Sequence, residues 1–210
     1  ELKTPLTVIL SNAELLQAAP LSDKPARWSE NIRMEAQQMK NLVEEMLTLA
    51  RADNMPHTAV LEEVSLSDIT ADCALAFEPV AFEAGKPLES DITPDVTVTG
   101  DADKLRQLIG VLLDNAIKFS AEGSTMGLSI TAKGGKAHVA VRNHGDTIPP
   151  DELAMIFDRF HKSDKSRSVD REGVGLGLYI VKTILNNHKE NISVTSQDGV
   201  TEFVFTLTLA

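Results

Sequence analysis

Two apolar stripes dominate the first 50 residues. From Leu2 the apolar positions fall at Leu2, Leu6, Ile9, Ala13 and Leu16, in steps of four and three that line one side of a helix. Ala19-Pro20 ends that helix, and a polar stretch over 21–27 follows. The rhythm returns at Ile32, Ala36, Met39, Val43, Met46 and Ala50, reinforced by Leu42 and Leu49, which predicts a second helix. Two antiparallel helices cannot bury both stripes completely. Heptad-spaced hairpins solve this by pairing into a four-helix bundle, so a homodimer is expected. The alternative is a hairpin that packs only on the rest of its own chain.

Asn54 and Pro56 break the helical pattern and mark a junction. At roughly 150 residues per domain, a chain of 210 suits one large or two small domains. Its 42% hydrophobic and 24% charged residues are ordinary for a globular protein. With 31 acidic against 20 basic residues, the chain carries a formal charge of −11 and would repel a phosphate backbone, so no nucleic-acid partner is expected. Local basic patches could still hold a nucleotide. The single Cys73 excludes an internal disulfide and a cysteine zinc site, which fits a reducing, cytoplasmic compartment. No run reaches the 18 or so apolar residues of a membrane helix, and the opening Glu1-Leu2-Lys3-Thr4-Pro5 is not a signal peptide.

The remainder reads as a mixed α/β domain. Val60 to Leu66 predicts a short strand, with Ser67 and Asp68 capping a helix that carries Ile69, Cys73, Ala76, Phe77 and Val80. Short strands are expected over Leu88 to Ile92 and Val96 to Val98. Asp101 then opens a long helix with apolar Leu105, Leu108, Ile109, Leu112, Leu113 and Ile117. Met126 to Ala132 and Ala137 to Val141 alternate as paired strands around Lys133-Gly134-Gly135-Lys136. A short helix over Glu152 to Phe160, a longer one over Leu176 to Asn187, and a hairpin of Ile192 to Thr195 with Phe203 to Leu209 complete the reading.

Several segments carry chemistry. Asn115 and Lys118, three apart at a helix end, share a face; an amide oxygen is a hard ligand for Mg²⁺ and a lysine meets phosphate oxygens. Asn143-His144-Gly145-Asp146-Thr147-Ile148-Pro149 follows a strand, where a glycine admits a planar ligand and a polar strand end can read a base edge. Gly173, Gly175 and Gly177 stand directly before a helix, whose free amides favour phosphate. A Rossmann site is rejected, because the preceding 162–172 is charged and Ser-rich rather than a strand, and no Walker A sequence exists. That stretch, with Lys162, Lys165, Arg167 and Arg171, is locally basic, as a phosphate-covering lid would be. A solvated loop would look the same.

Taken in order, these segments resemble the core of a sensor histidine kinase of two-component signalling. Glu1 to Leu6 looks like the tail of its H box, Asp114 to Ser120 its N box and Asn143 to Pro149 its G1 box. Phe157-Asp158-Arg159-Phe160 resembles the F box, Gly173 to Leu178 the G2 box and Thr201-Glu202-Phe203 the terminal strand. The resemblance implies an α+β chain: a dimeric phosphotransfer hairpin over 1–55, then a GHKL-type α/β sandwich over 60–210. It implies ATP and Mg²⁺ as ligands, with Asn115 on the metal and Lys118 and Arg159 near phosphates. Asn143 and Thr201 would meet adenine; Gly173, Gly175 and Gly177 would line the phosphate end. Phe119, Gly145, Thr147, Lys162 and Leu176 complete the implied ATP site. The γ-phosphoryl group would pass to a hairpin histidine and then to an aspartate of a response regulator receiver domain.

Two departures from that pattern stand out. The G1 box has Asn143 in place of Asp and Thr147 in place of Gly. The acceptor histidine should stand immediately before Glu1, while His57, His138, His144, His161 and His188 all lack an H-box context and are read as surface or structural. Upstream sensor and membrane segments are therefore expected to belong to the parent protein. Glu1 and Thr4 match a Glu-x-x-Thr pattern that in related kinases supports dephosphorylation of the regulator. The competing reading is a non-catalytic dimeric scaffold that binds nucleotide or a response regulator.

Overall fold

The computed structural model describes residues 3–18, 28–37, 39–40, 43, 61–162 and 175–210, with only the backbone for 3–6, 17 and 18. Glu1, His57, Gly173, the Arg51 to Pro56 junction and most of the basic stretch lie outside the described residues, as does the side chain of Thr4. The chain divides into two compact units, one within Glu1–Asn54 and one that contains the sheet.

The first unit is helical. Helix α1 runs over Lys3–Ala18 and a second helix, α2, includes residues 28–37. Asn31 donates from Nδ2 to Asn12 Oδ1 at 3.4 Å, and Ile9 shares an apolar groove with Ala36, Met39, Lys40 and Val43. Early residues of one helix therefore meet late residues of the other, an antiparallel hairpin. None of its described residues is buried; Leu10 and Leu15 stay 54% and 47% exposed. The hairpin alone leaves apolar surface in water.

The second unit comprises β1 (Glu62–Ser65), α3 (Leu66–Glu83), β2 (Leu88–Ile92), β3 (Thr97–Gly100), α4 (Ala102–Phe119), β4 (Met126–Lys133), β5 (Lys136–His144), α5 (Pro150–Leu153), α6 (Gly177–Asn187), β6 (Ile192–Gln197) and β7 (Val200–Thr208). Five strands form a sheet in the order β2-β4-β5-β7-β6, antiparallel except for the parallel β2–β4 pair. β1 and β3 make a separate antiparallel ribbon. One sheet face is apolar by strict alternation: Met126, Leu128 and Ile130 on β4, Ala137, Val139 and Val141 on β5, Phe203, Phe205 and Leu207 on β7, all buried. Leu105, Leu108, Ile109, Leu112 and Leu113 of α4 and Ile180, Val181, Ile184 and Leu185 of α6 supply the other layer. This is the two-layer α/β sandwich that the resemblance implies.

Local chemistry accounts for the boundaries. Asp101 caps α4, its carboxylate accepting from the amides of Asp103 and Lys104 at 3.0 and 3.1 Å. His188 ties that cap to the end of α6: Asp101 N donates to His188 Nε2 at 3.0 Å, and Nδ1 lies 2.8 Å from Ile184 O. With Nε2 accepting and Nδ1 donating, the ring is neutral, a structural histidine as expected. Gly134 and Gly135 both have positive φ, the requirement of a two-residue I′ turn, and join β4 to β5 as predicted.

Four expectations need correction. Ser65, not Ser67 or Asp68, caps α3 by accepting from Asp68 N; Ser67 Oγ instead donates to Thr93 O and accepts from Val96 N. Val80 faces water, because the buried face of α3 turns through Ile69, Cys73, Ala74 and Ala81. The helix expected over Glu152 to Phe160 ends at Leu153. Beyond it Phe157 is drawn into an edge-to-face contact with Phe203, and Phe160 N turns to Gly175 O, so tertiary contacts override the helical register. β2 falls at its predicted bounds, whereas the other strands depart from theirs at one or both ends by one to three residues.

Thr70 is fully buried in α3 and its hydroxyl has no hydrogen-bond partner among the described residues. Thr70→Val keeps the shape and removes the stranded group, so it should raise unfolding stability by about 1 kcal/mol in a denaturant titration. A loss of similar size would show that the hydroxyl is satisfied.

Candidate functional site

The apolar rows of three adjacent strands all turn polar at the same level. On β5 the inward row Val139, Val141 continues to Asn143; on β7 the row Phe205, Phe203 continues to Thr201; on β6 Ile192 and Val194 lead to Ser196. Asn143 pairs directly with Thr201 across the sheet, and Thr201 with Ser196. Asn143 and Thr201 are each only 5% exposed. The Ser196 and Thr201 hydroxyls are 2.8 Å apart, while no described residue bonds the Asn143 amide. The Asn143 amide atoms are not among the fully enclosed polar atoms, so they stay open to a ligand that approaches this edge.

The loop after β5 is held against this polar edge. Gly145 N donates to Gly199 O at 2.8 Å, Gly199 N donates to Thr147 Oγ1 at 2.9 Å, and Ile148 N donates to Ser196 Oγ at 2.8 Å. Gly145 also bridges Ser120 at the end of α4. A Cβ on Gly145 would stand 2.1 Å from Phe119 O, so only glycine lets loop and helix approach this closely. Sequence position thus brings Phe119, Asn143, Gly145, Thr147 and Thr201 into one place. Ser196 was not anticipated, although two-residue alternation from Ile192 and Val194 points to it.

The other end of α4 contact is made by the glycine segment. Gly175, at φ +78°, packs on the carbonyl of His161, and a Cβ on Gly177 would lie 3.1 Å from Val111 of α4. α6 then starts at Gly177 with buried Leu176 as its cap residue and no side chain capping its amides. Those first-turn amides and the helix dipole suit an anion. On α4, Asn115 is half-buried with no described side-chain partner, and Lys118 Nζ lies 2.8 Å from Asp114 Oδ2. Arg159 donates to Tyr179 Oη of α6 and lies 4.4 Å over its ring. Tyr179 is a second residue that the sequence did not single out. Lys162 follows the His161 carbonyl that supports Gly175 and is itself half-buried.

No cluster of three His, Cys, Asp or Glu side chains among the described residues could hold a metal. Asn115 offers one amide oxygen, a donor set that suits Mg²⁺ only when phosphate and water oxygens complete its octahedron. No helix among the described residues is long and apolar enough to cross a membrane.

Residues 100–210 match the family of histidine kinase-, DNA gyrase B- and HSP90-like ATPases, and residues 1–54 match the His kinase A phospho-acceptor domain. The sensor-like histidine kinase SenX3 of Mycobacterium tuberculosis H37Rv is 32% identical over all 210 residues, which span 51% of SenX3. The chain thus spans about half the length of the curated relatives it matches. The structure of ShkA, solved in complex with AMPPNP, superposes with a TM-score of 0.72 at 27% identity, covering 99% of this chain and 43% of that one. ThkA, solved in complex with the response regulator TrrA, shares the fold at a TM-score of 0.79 and 17% identity, covering 100% of this chain and 59% of ThkA. With a phospho-acceptor domain followed by an ATPase domain of this type, the chain belongs to the sensor histidine kinase family.

Proposed function

We propose that this chain is the kinase core of a two-component sensor, which binds Mg-ATP and passes the γ-phosphoryl group to a histidine and then to a response-regulator aspartate. The Asn143 amide carries the reading: it lies opposite Thr201 on a residue only 5% exposed, no described residue bonds it, and a planar ligand with a hydrogen-bonding edge would pair with it. The AMPPNP bound to ShkA supports a nucleotide in this role. Asn143 and Thr201 hold the base, with Gly145, Thr147 and Phe119 shaping that end. Gly173, Gly175, Leu176 and Gly177 bring amides to the phosphates, and Lys118, Arg159 and Lys162 supply positive charge. Asn115 would hold Mg²⁺ together with phosphate oxygens, and the ion would screen the charge of the transferring group.

The hairpin supplies the dimer. Its exposed apolar positions would be covered by a second copy in a four-helix bundle, the domain division falling near 55–60. In this reading the Glu1-x-x-Thr4 pattern of the sequence serves the acceptor: Glu1 would accept a proton from the imidazole and Thr4 would orient water for regulator dephosphorylation. ThkA's capture with its response regulator supports such a partner, and the parent protein would place this core on the cytoplasmic side of a membrane. Thr147 does not favour a degenerate scaffold, since it ties the loop to Gly199.

Asn115→Ala tests the site by calorimetric titration with Mg-ATP. Removal of the metal's amide oxygen should weaken binding at least about ten-fold, roughly 1.4 kcal/mol. Equal affinity in the variant and the parent would overturn the metal assignment.

A further inference from the structure

Asn143 and Thr201 form an edge whose polarity can reverse. The Asn143 amide has an accepting oxygen and a donating NH₂, and with no described partner holding either end, both settings are open to it. Thr201 has the same freedom for a different reason. Its oxygen lies 2.8 Å from Ser196 Oγ, and either hydroxyl can donate in that pair. Ser196 Oγ already accepts from Ile148 N, which leaves Ser196 one proton and one further lone pair. If Ser196 donates to Thr201, the Thr201 proton is released to donate elsewhere. If Thr201 donates to Ser196, the Thr201 oxygen is left to accept.

Building on the nucleotide reading above, we infer that this pocket accepts 6-oxopurine nucleoside triphosphates as readily as ATP. Adenine offers an amino donor at C6 beside a ring acceptor at N1. The 6-oxopurines offer a carbonyl acceptor and an N1–H donor in the same two places. One setting of the Asn143–Thr201 pair satisfies the first edge and the opposite setting satisfies the second. Discrimination in a buried site comes from leaving a wrong partner's groups unpaired, and here neither edge leaves any unpaired. A carboxylate at position 143 could only accept, so it would face the 6-oxo group with like polarity and reject it.

The test is calorimetric titration of the 210-residue chain with Mg-ATP, Mg-ITP and Mg-GTP, ITP presenting the 6-oxopurine edge without guanine's extra amino group. Kd for ITP or GTP within about ten-fold of that for ATP is the expected result; more than ten-fold weaker binding of both overturns the inference while leaving the nucleotide site intact. Binding of none of the three overturns the nucleotide reading itself. Asn143→Asp should then lose ITP and GTP by at least ten-fold relative to ATP, and an unchanged ratio in the folded variant would remove Asn143 from the role. The ITP measurement on the parent stands even if that variant does not fold.

Discussion

Gly145→Ala should cost at least about 3 kcal/mol of stability and abolish nucleotide binding with it. The methyl group would enter 2.1 Å from Phe119 O, a backbone atom at the end of α4 that cannot rotate aside as a side chain could. Relief requires parting the loop from the helix, which breaks the Ser120–Gly145 bridge and the bond from Gly145 N to Gly199 O. In a scanning thermal unfolding experiment the loss corresponds to a fall of about 6–12 °C for a chain of this size. Gly127→Ala serves as the comparison, since its added carbon would meet only the Arg142 side chain at 3.7 Å or more. That variant should stay within about 0.5 kcal/mol of the parent. Equal behaviour of the two would mean that loop and helix are not in contact.

The second large effect is expected at Glu190. Its carboxylate is buried between β5, β7 and the end of α6, and accepts from Lys136 Nζ at 2.6 Å, Thr206 Oγ1 at 2.9 Å and Thr208 Oγ1 at 2.6 Å. Burial pushes its pKa up, but the hydrogen bonds from Lys136, Thr208 and Thr206 outweigh burial and hold the group below its ordinary 4.5. Glu190→Ala removes all three bonds and should cost about 1–2 kcal/mol, less than for an enclosed pair because Lys136 and Thr208 reach water and can be solvated in its absence. The pH dependence has a definite sign. A depressed carboxyl stabilises the fold fully above 4.5, and this contribution disappears as pH falls through the lower folded-state value. Glu190→Gln should therefore be less stable than the parent at neutral pH, with the gap narrowing only in acid. Urea titrations at several pH values measure it; a constant gap would dismiss the ionised form as the source.

What the sequence disclosed tracks how local the determining physics is. Asp101 as a helix cap and the Gly134-Gly135 turn are decided by interactions within a few residues, and both were readable. Asn143 and Thr201 were named together through family resemblance, and the register sets them opposite each other. Ser196 was legible in principle from alternation, but nothing in its own segment says that the row ends beside Asn143. The end of the short helix at Leu153 was not legible, because it is decided by Phe157 meeting Phe203 and Phe160 meeting Gly175. The cap of α3 shows a finer failure: Ser65, Ser67 and Asp68 are all plausible caps, and the choice falls on Ser65 because Ser67 is needed by Thr93 and Val96. The parallel pairing of β2 with β4 has no local signature either.

Strand order also sets a timetable for biosynthesis. β7 enters the sheet between β5 and β6, although it is made after both. While the ribosome is still translating, β5 presents an open edge and β6 has no partner, and roughly 3–13 s of elongation separate the end of β5 from the end of β7. Asn143 has nothing opposite it during that interval. A nascent chain can raise the β4–β5 hairpin early, yet it cannot capture a nucleotide until β7 has zipped into the gap, so ligand enters as a late stabiliser of a finished sheet rather than as a template for its assembly.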